Sequence, residues 1–154
     1  MLKNKIFILT FMVLIAVTVI NSAVAQTNGF VTIQSKSSFE KTVDQLKELV
    51  AKNGMMVLSE LNQGKVMEMT GLRLNAISFF VGNPIIGKKL FAANHGVGIA
   101  IPVRVNVYED TDGKTYVNYV KPSDQLAPFK NEDIKNTSIM LDEKLSMLTG
   151  MLSK

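Results

Sequence analysis

The chain contains no cysteine and no tryptophan, a single histidine, His95, and only two arginines, Arg73 and Arg104. The absence of cysteine excludes disulfides, thiolate metal sites and a lipid anchor on an N-terminal cysteine. Because the arginines are few and the lysines are scattered, the chain lacks the clustered basic face that nucleic-acid binding requires. We therefore expect no nucleic-acid partner and a fold that is stabilised by its core alone.

The first 25 residues have the pattern of a signal peptide. Two lysines precede an apolar run over residues 6–20, which is followed by Ala-Val-Ala at residues 23–25. The run is shorter than the roughly 20 apolar residues that span a bilayer, so a retained membrane anchor is the less favoured alternative. The sequence predicts cleavage between Ala25 and Gln26, a periplasmic or secreted protein, and membrane contact only before cleavage.

After this cleavage the chain is only weakly basic. Loss of residues 1–25 removes two lysines and no acidic residue, so the formal net charge falls from 17 − 13 = +4 to 15 − 13 = +2. Residues 26–154 show no internal repeat, low-complexity tract or long linker. Their number suits one domain that folds around its own core, so we predict a single domain over residues 26–154.

The apolar pattern of residues 26–154 predicts eight elements in the order β-α-β-β-α-β-β-α. Alternating apolar residues indicate the strands, which cover residues 30–34, 55–61, 75–81, 99–108 and 115–120. Cap residues and apolar stripes indicate three helices, which start at Ser37, Asn83 and Asn131 and run to residues 53, 93 and 152. This order predicts the α+β class, with a mainly antiparallel sheet and helices packed on one of its faces.

The last two predicted strands are expected to pair as a hairpin around Gly113. Counting back from the turn pairs Tyr108 with Thr115 and Arg104 with Tyr119. A bulge at Gly113 would shift this register by one residue.

The less apolar face of the fourth strand carries the side chains of Arg104, Asn106 and Tyr108, and the expected register adds Tyr119. Arginine donates a fork of hydrogen bonds to anions and tyrosine stacks on planar groups, so this face is predicted to bind an anionic or planar ligand. The alternative is a solvated face or a dimer contact, because antiparallel strands place polar residues outside by default. Asn83, at the start of the second helix, completes the set of ligand-binding candidates.

Two stretches resemble known binding motifs, but each lacks necessary residues. Residues 82–88 match the start of a phosphate-binding loop, yet Pro84 removes a backbone N–H and Lys89 replaces the Ser or Thr that holds magnesium. Residues 110–113 match the start of a calcium loop, yet lysines occupy its fifth and twelfth positions. We interpret the first as a helix cap and the second as a hairpin turn, and we predict no cofactor and no metal site at either.

Three other features keep further functions open. His95 is expected at a helix end, where it interacts favourably with the helix dipole, but its pKa range also suits proton transfer. Glu109 is a second candidate acid or base near the hairpin turn. Met67 and Met69 offer soft thioethers that suit Cu(I), although methionine also fills irregular cores.

The middle of the chain resembles the domain of unknown function 302 family. The motifs that carry this resemblance are FVGNP at residues 80–84, LF at 90–91, GIAIPVRV at 98–105, YED at 108–110, DGK at 112–114 and VNY at 117–119, followed by Pro122. The resemblance runs from about Gly29 to Leu126 and leaves out the C-terminal helix. The chain departs from the family pattern at Lys121, where many relatives have an acidic residue, and in lacking a histidine soon after.

The resemblance implies a fold of the TATA-binding-protein-like α+β group, in which a curved antiparallel sheet carries two main helices. It implies no established activity. The chain also contains no spaced set of nucleophile, base and oxyanion donor. We therefore expect a non-enzymatic periplasmic domain that binds a small ligand or an envelope protein through the Arg104 face and forms a homodimer. The alternative is an enzyme of unknown class near the turn at residues 82–84, with His95 or Glu109 as its acid or base.

Overall fold

The computed structural model describes residues 29–153, so the predicted signal peptide lies outside the described residues. In chain order the elements are β1 (Phe30–Gln34), α1 (Phe39–Lys52), β2 (Met56–Leu61), α2 (Gln63–Glu68), β3 (Ala76–Gly82), α3 (Pro84–Ala93), a 3-10 helix (His95–Ile99), β4 (Val103–Glu109), β5 (Thr115–Val120), α4 (Pro122–Leu126) and α5 (Glu132–Gly150). No helix within residues 29–153 is long and apolar enough to cross a membrane.

The five strands form one antiparallel sheet in the order β1-β5-β4-β3-β2. The order places β3, β4 and β5 in the interior of the sheet and leaves β1 and β2 at its edges. The predicted α+β class with a mainly antiparallel sheet is therefore confirmed. Two short helices, α2 and α4, were not predicted with these bounds.

The core lies between one face of the sheet and the two long helices, α1 and α5. Successive side chains of a strand point to opposite faces, so the odd-numbered residues of β4, from Val103 to Val107, all enter the core. Helix α1 adds the stripe that contains Leu46 and Val50, and α5 adds a stripe of leucines at spacings of four and three. The predicted C-terminal helix therefore covers the sheet, as its pattern indicates.

Side-chain caps fix the helix starts. The Asn83 Oδ1 accepts the backbone N–H groups of Ile85 and Ile86 at 2.8 and 3.1 Å, and Asn131 caps α5 in the same way. These two predicted caps are confirmed. The prediction that Ser37 caps α1 is wrong by one residue, because the Ser38 Oγ accepts the N–H of Lys41.

The predicted strand over residues 99–108 begins late, at Val103. Ile99 belongs to the 3-10 helix, and the next residues lead through a cis peptide bond before Pro102 into β4. Proline lacks the N–H that a ladder needs, so the pattern of alternating apolar residues extends further than the strand itself.

The hairpin register also differs from the expected one. Glu109 pairs with Thr115 and Tyr108 with Tyr116, one residue away from the count made from the turn. Gly113 has a φ of +72°, and the Asp110 Oδ1 accepts the N–H groups of two turn residues at 3.0 and 2.8 Å. This arrangement uses an extra residue in the turn, which is the alternative that a bulge at Gly113 predicts.

Candidate ligand-binding face

The face of the sheet opposite α1 and α5 carries most of the polar strand residues, and we call it the open face. Its inner strands contribute Ser78 and Phe80 from β3, Arg104, Asn106 and Tyr108 from β4, and Tyr116 and Asn118 from β5. Cross-strand pairing aligns Ser78, Asn106 and Asn118 in one row that runs across the sheet. The structure therefore brings together three of the predicted candidates and adds residues from both neighbouring strands.

The row forms a continuous hydrogen-bonded chain of side chains. Gln63 Nε2, from α2, donates to Ser78 Oγ at 2.6 Å, and that hydroxyl donates to Asn106 Oδ1 at 3.2 Å. Asn106 Nδ2 then donates to Asn118 Oδ1 at 3.2 Å. Such a chain fixes the direction in which each amide points, because every link uses a donor and an acceptor.

The chain ends at a buried acceptor that has no protein partner. Gln63 Oε1 lies out of contact with solvent, and no hydrogen-bond donor within residues 29–153 reaches it. A buried carbonyl oxygen without a donor costs about 1 to 3 kcal/mol. The row therefore contains one buried acceptor that the described residues leave without a donor.

Arg104 is exposed on the open face and has no acidic partner. The ion pairs of the described part of the chain all involve lysines, and no carboxylate lies within the range of a salt bridge to the Arg104 guanidinium. The inner-strand residues of the open face include no Asp or Glu. A guanidinium with five donors and no partner is suited to bind a planar anion in a bidentate manner.

Two tyrosines form the aromatic end of the face. The rings of Tyr108 and Tyr116 are stacked, with centroids 5.5 Å apart and planes at 22°. Burial is the main cause that raises the pKa of Tyr108, and the Tyr116 and Asp110 side chains raise it further. Burial and the nearby Asp110 likewise raise the pKa of Tyr116. Both phenols are therefore neutral at ordinary pH, and they offer flat surfaces for stacking.

Tyr119 does not belong to this face, so its predicted pairing with Arg104 is wrong. It pairs with Val105, is 3% exposed, and lies in the core. Burial raises the pKa of Tyr119, and the contact with Thr149 partly offsets this rise. A one-residue change of register moves a side chain to the opposite face, which accounts for the error.

The open face forms a groove of about 400 Å³. Its floor includes Ser78, Asn106 and Asn118, and Arg104 stands beside them. Pro102 and the 88% exposed Ile99 form an apolar rim at one end. The groove therefore combines one cation, several amides and apolar walls, which is the usual make-up of a small-molecule site.

Asn83 lies away from the groove, and its side chain is already engaged. Besides capping α3, its Nδ2 donates to the Gly54 carbonyl oxygen at 2.7 Å. Asn83 instead contributes to the wall of a separate apolar pocket. Asn83 thus makes a structural contact between α3 and the residue that follows the C-cap of α1, away from the open face.

The two candidate acids or bases do not meet at the turn over residues 82–84. Val103, at the start of β4, lies beside this turn, and Glu109 is six residues further along the strand. Glu109 is therefore roughly 20 Å from the turn. His95 follows the ten residues of α3, which separate it from the turn by roughly 15 Å. No acid–base pair is therefore assembled there by these residues.

The soft-metal candidates lie at the end of α2. Met67 is partly buried and Met69 is 87% exposed. Residues 29–153 contain no group of three or more His, Asp or Glu side chains that could hold a metal ion. A Cu(I) site at Met67 and Met69 stays a prediction from the sequence.

Several residues of the open face were not predicted from the sequence. Ser78 is placed beside Asn106 by the pairing of β3 with β4. The one-residue shift in the hairpin places Tyr116 beside Tyr108 and Asn118 beside Asn106. Gln63 lies in a segment without clear periodicity, and no sequence signal indicates that its side chain reaches Ser78.

Comparison with known families identifies the class of the protein. The family model described as Domain of unknown function DUF302 matches residues 31–154, which is most of the chain, and the match includes α5. The chain therefore belongs to the DUF302 family. This membership agrees with the resemblance seen in the sequence motifs.

A solved structure and curated sequences support the comparison at different levels. The crystal structure of an uncharacterized conserved DUF302 protein from Bacillus stearothermophilus has a TM-score of 0.75 and 19% identity, and covers 80% of this chain and 98% of that one. This likeness shows a shared fold.

The curated relatives include proteins named fluoride-specific ion channel FluC 1. Those of Brucella suis biovar 1 and Brucella abortus biovar 1 are each 27% identical over 97 residues, which is 62% of this chain. The matched region is 38% and 36% of their lengths, so the chain spans little more than a third of these relatives. Most of the match falls on the described α+β domain, because only residues 1–28 and 154 lie outside it.

Proposed function

We propose that this protein is an exported, non-enzymatic binding domain that takes a small planar anion in the groove of the open face. The observation that carries the proposal is the exposed Arg104 guanidinium, which has no acidic partner and stands beside a fixed chain of amide and hydroxyl groups. The predicted signal peptide supports action in the periplasm or outside the cell.

The spacing of the groove suggests how such a ligand would lie. Outward-facing residues on β4 are about 6.6 Å apart, since a strand rises about 3.3 Å per residue. A carboxylate bound by Arg104 would therefore place an attached ring over Asn106, with its far edge towards Tyr108.

The chemistry of the groove favours binding over catalysis. The Ser78 hydroxyl is hydrogen-bonded to the amide side chains of Gln63 and Asn106, and neither amide can act as a base that accepts its proton. The groove lining contains no histidine and no carboxylate. Activation of a serine nucleophile needs an adjacent general base, so these side chains hold a ligand without activating it.

The test compares planar carboxylates with their neutral amides. Benzoate and indole-3-acetate, each with its carboxamide, are titrated into the chain expressed with its own N-terminus and purified as the cell produces it. We expect each carboxylate to bind at least tenfold more tightly than its amide, and Arg104→Gln to remove that preference, since a hydrogen bond to a charged group contributes about 1.5 to 3 kcal/mol.

Arg73→Gln is the matched control, because Arg73 is the only other arginine and lies outside the groove lining. It should leave the affinities unchanged. If no carboxylate binds more tightly than its amide, or if both arginine variants weaken binding equally, the assignment of Arg104 as an anion receptor is wrong.

A second candidate function is self-association into a homodimer. The edge strand β2 exposes Met56, Leu58 and Leu61, and Ile99 is exposed at the rim of the groove. Exposed apolar strand edges favour pairing with another chain. Native mass spectrometry of the same purified protein reports the oligomer and any retained anion together, and a monomer at micromolar concentration would contradict the dimer.

A further inference from the structure

We propose that the apolar pocket beside α3 is a second binding site, which takes a free medium-chain fatty acid with its carboxylate at Lys88. This pocket lies on the helix-covered side of the molecule, at the end of the sheet where β3 leads into α3. It shares only Pro102 and no polar side chain with the groove of the open face. The inference is therefore independent of the function proposed for Arg104.

The pocket has a volume of about 270 Å³ and reaches the core of the domain. Its floor is made of almost completely buried side chains, which include Met55, Val81, Leu90, Val103 and Leu141. Its mouth opens beside Leu58 and Phe91, which are 49% and 41% exposed. An apolar cavity that opens to solvent between exposed apolar side chains favours an apolar ligand that enters from outside.

The polar groups of the lining restrict what the ligand's head can be. The Asn83 side chain already caps α3 and donates to the Gly54 carbonyl oxygen, so it is not the group that would bind the ligand's head. Lys88 takes part in no ion pair within residues 29–153, and the lining contains no acidic residue. A single unpaired ammonium at an otherwise apolar pocket complements a ligand with one anionic end.

The lining is mostly aliphatic and contains one aromatic residue, Phe91. An unbranched alkyl chain suits such walls, because its affinity grows with each methylene group removed from water. A single chain also suits the size of the pocket, which is just below the range for drug-sized ligands. These features favour a single-chain fatty acid over a two-chain bilayer lipid.

Gly87 provides a way to block the pocket without disturbing the fold. It lies in α3 and lines the pocket. A Cβ atom added at this position would have no other atom within 4 Å. Because glycine weakens a helix interior, Gly87→Leu improves the helix propensity while filling the space where the alkyl chain would lie. The variant is therefore expected to stay folded, which its circular dichroism and thermal unfolding would check.

The experiment measures the affinities of decanoate and decanol by calorimetry on the chain expressed with its own N-terminus. We expect decanoate to bind more tightly than decanol. Gly87→Leu should weaken decanoate at least tenfold. Lys88→Gln should lower the preference for decanoate over decanol by about two- to fivefold, as for an exposed ion pair, and leave decanol unchanged. Lys89→Gln, at the neighbouring exposed lysine outside the lining, should change neither affinity.

Several results would overturn the proposal. They are the absence of decanoate binding, an unchanged affinity in Gly87→Leu, and an unchanged preference in Lys88→Gln. Binding to phosphatidylglycerol vesicles that decanoate does not displace would show that a bilayer lipid is the ligand. Arg104→Gln should leave decanoate binding unchanged, so failure at this pocket and failure at the open face are distinguishable.

Discussion

The two faces of the central strand β4 are made by alternating residues of one short segment, yet they differ completely in environment. The odd-numbered residues, from Val103 to Val107, are buried among the side chains of α1 and α5. The even-numbered residues, Arg104, Asn106 and Tyr108, lie on the open face, and Arg104 and Asn106 line its groove. The same backbone therefore supports a packed core on one side and an arranged set of polar groups on the other.

The difference shows which residues fold the chain and which are available for other roles. The core face is apolar and contributes by removing surface from water. The open face keeps its amides aligned through hydrogen bonds, while the Arg104 guanidinium makes no ion pair in the described part of the chain. Variants that separate the two faces test this division directly.

The largest effect is expected from adjacent phenylalanines of β3 that point to opposite faces. Phe79 is fully buried and lies under the Lys47 ammonium, which is 5.3 Å from its ring centre. Phe79→Ala should lower the free energy of unfolding by about 3 to 5 kcal/mol, because it leaves a cavity in the core. Phe80→Ala, on the open face, should cost no more than about 2 kcal/mol, because Phe80 is only partly buried.

Urea denaturation of both variants measures the comparison. If Phe80→Ala costs as much as Phe79→Ala, the open face is covered in solution, by a second copy or by a retained ligand. Native mass spectrometry of the same protein then tells a second copy from a retained ligand.

The sequence predicts the core face better than the open face, and the reason is physical. Burial selects apolar residues at every second position of β4 and at helical spacing in α1 and α5, so the pattern is visible without a structure. Caps such as Asn83 and Asn131 are also local, because a side chain binds N–H groups two or three residues away. These features were confirmed.

The open face depends on register, which the local pattern does not fix. The turn around Gly113 contains one residue more than expected, so the pairing of β5 with β4 shifts by one residue. This shift places Tyr119 in the core and Asn118 beside Asn106. The contact from Gln63 to Ser78 joins residues fifteen positions apart through a short helix with no buried residue. A long-range contact of this kind leaves no periodic signal.

An intermediate effect is expected at alkaline pH from the tyrosines of the two faces. Burial raises the pKa of Tyr119 in the folded protein, so the folded state holds this proton more tightly than the unfolded chain does. The resulting stabilisation is fully present below the unfolded pKa of about 10, and is lost as the pH rises through the folded pKa. Stability should therefore fall above about pH 10, and less steeply in Tyr119→Phe.

Tyr116→Phe is the comparison on the open face. The pKa of Tyr116 is also raised, by burial and by Asp110, but its side chain is partly exposed and solvent screens these effects. Its pH slope should therefore stay close to that of the unaltered protein. Urea denaturation at several pH values between about 8 and 11 gives the slopes. Equal slopes in the two variants would mean that Tyr119 is not the more strongly buried tyrosine.

The smallest effect is expected at Arg104, although it is next to a core residue. Arg104→Gln should change the free energy of unfolding by less than about 0.5 kcal/mol, because the side chain is exposed and has no ion pair to lose. Val105→Ala, one residue further, should cost roughly 2 kcal/mol through the cavity it leaves. A guanidinium that contributes nothing to folding is available for a bound anion. A loss of more than about 1 kcal/mol in Arg104→Gln would show that Arg104 acts within the fold, and would remove the premise of the binding proposal.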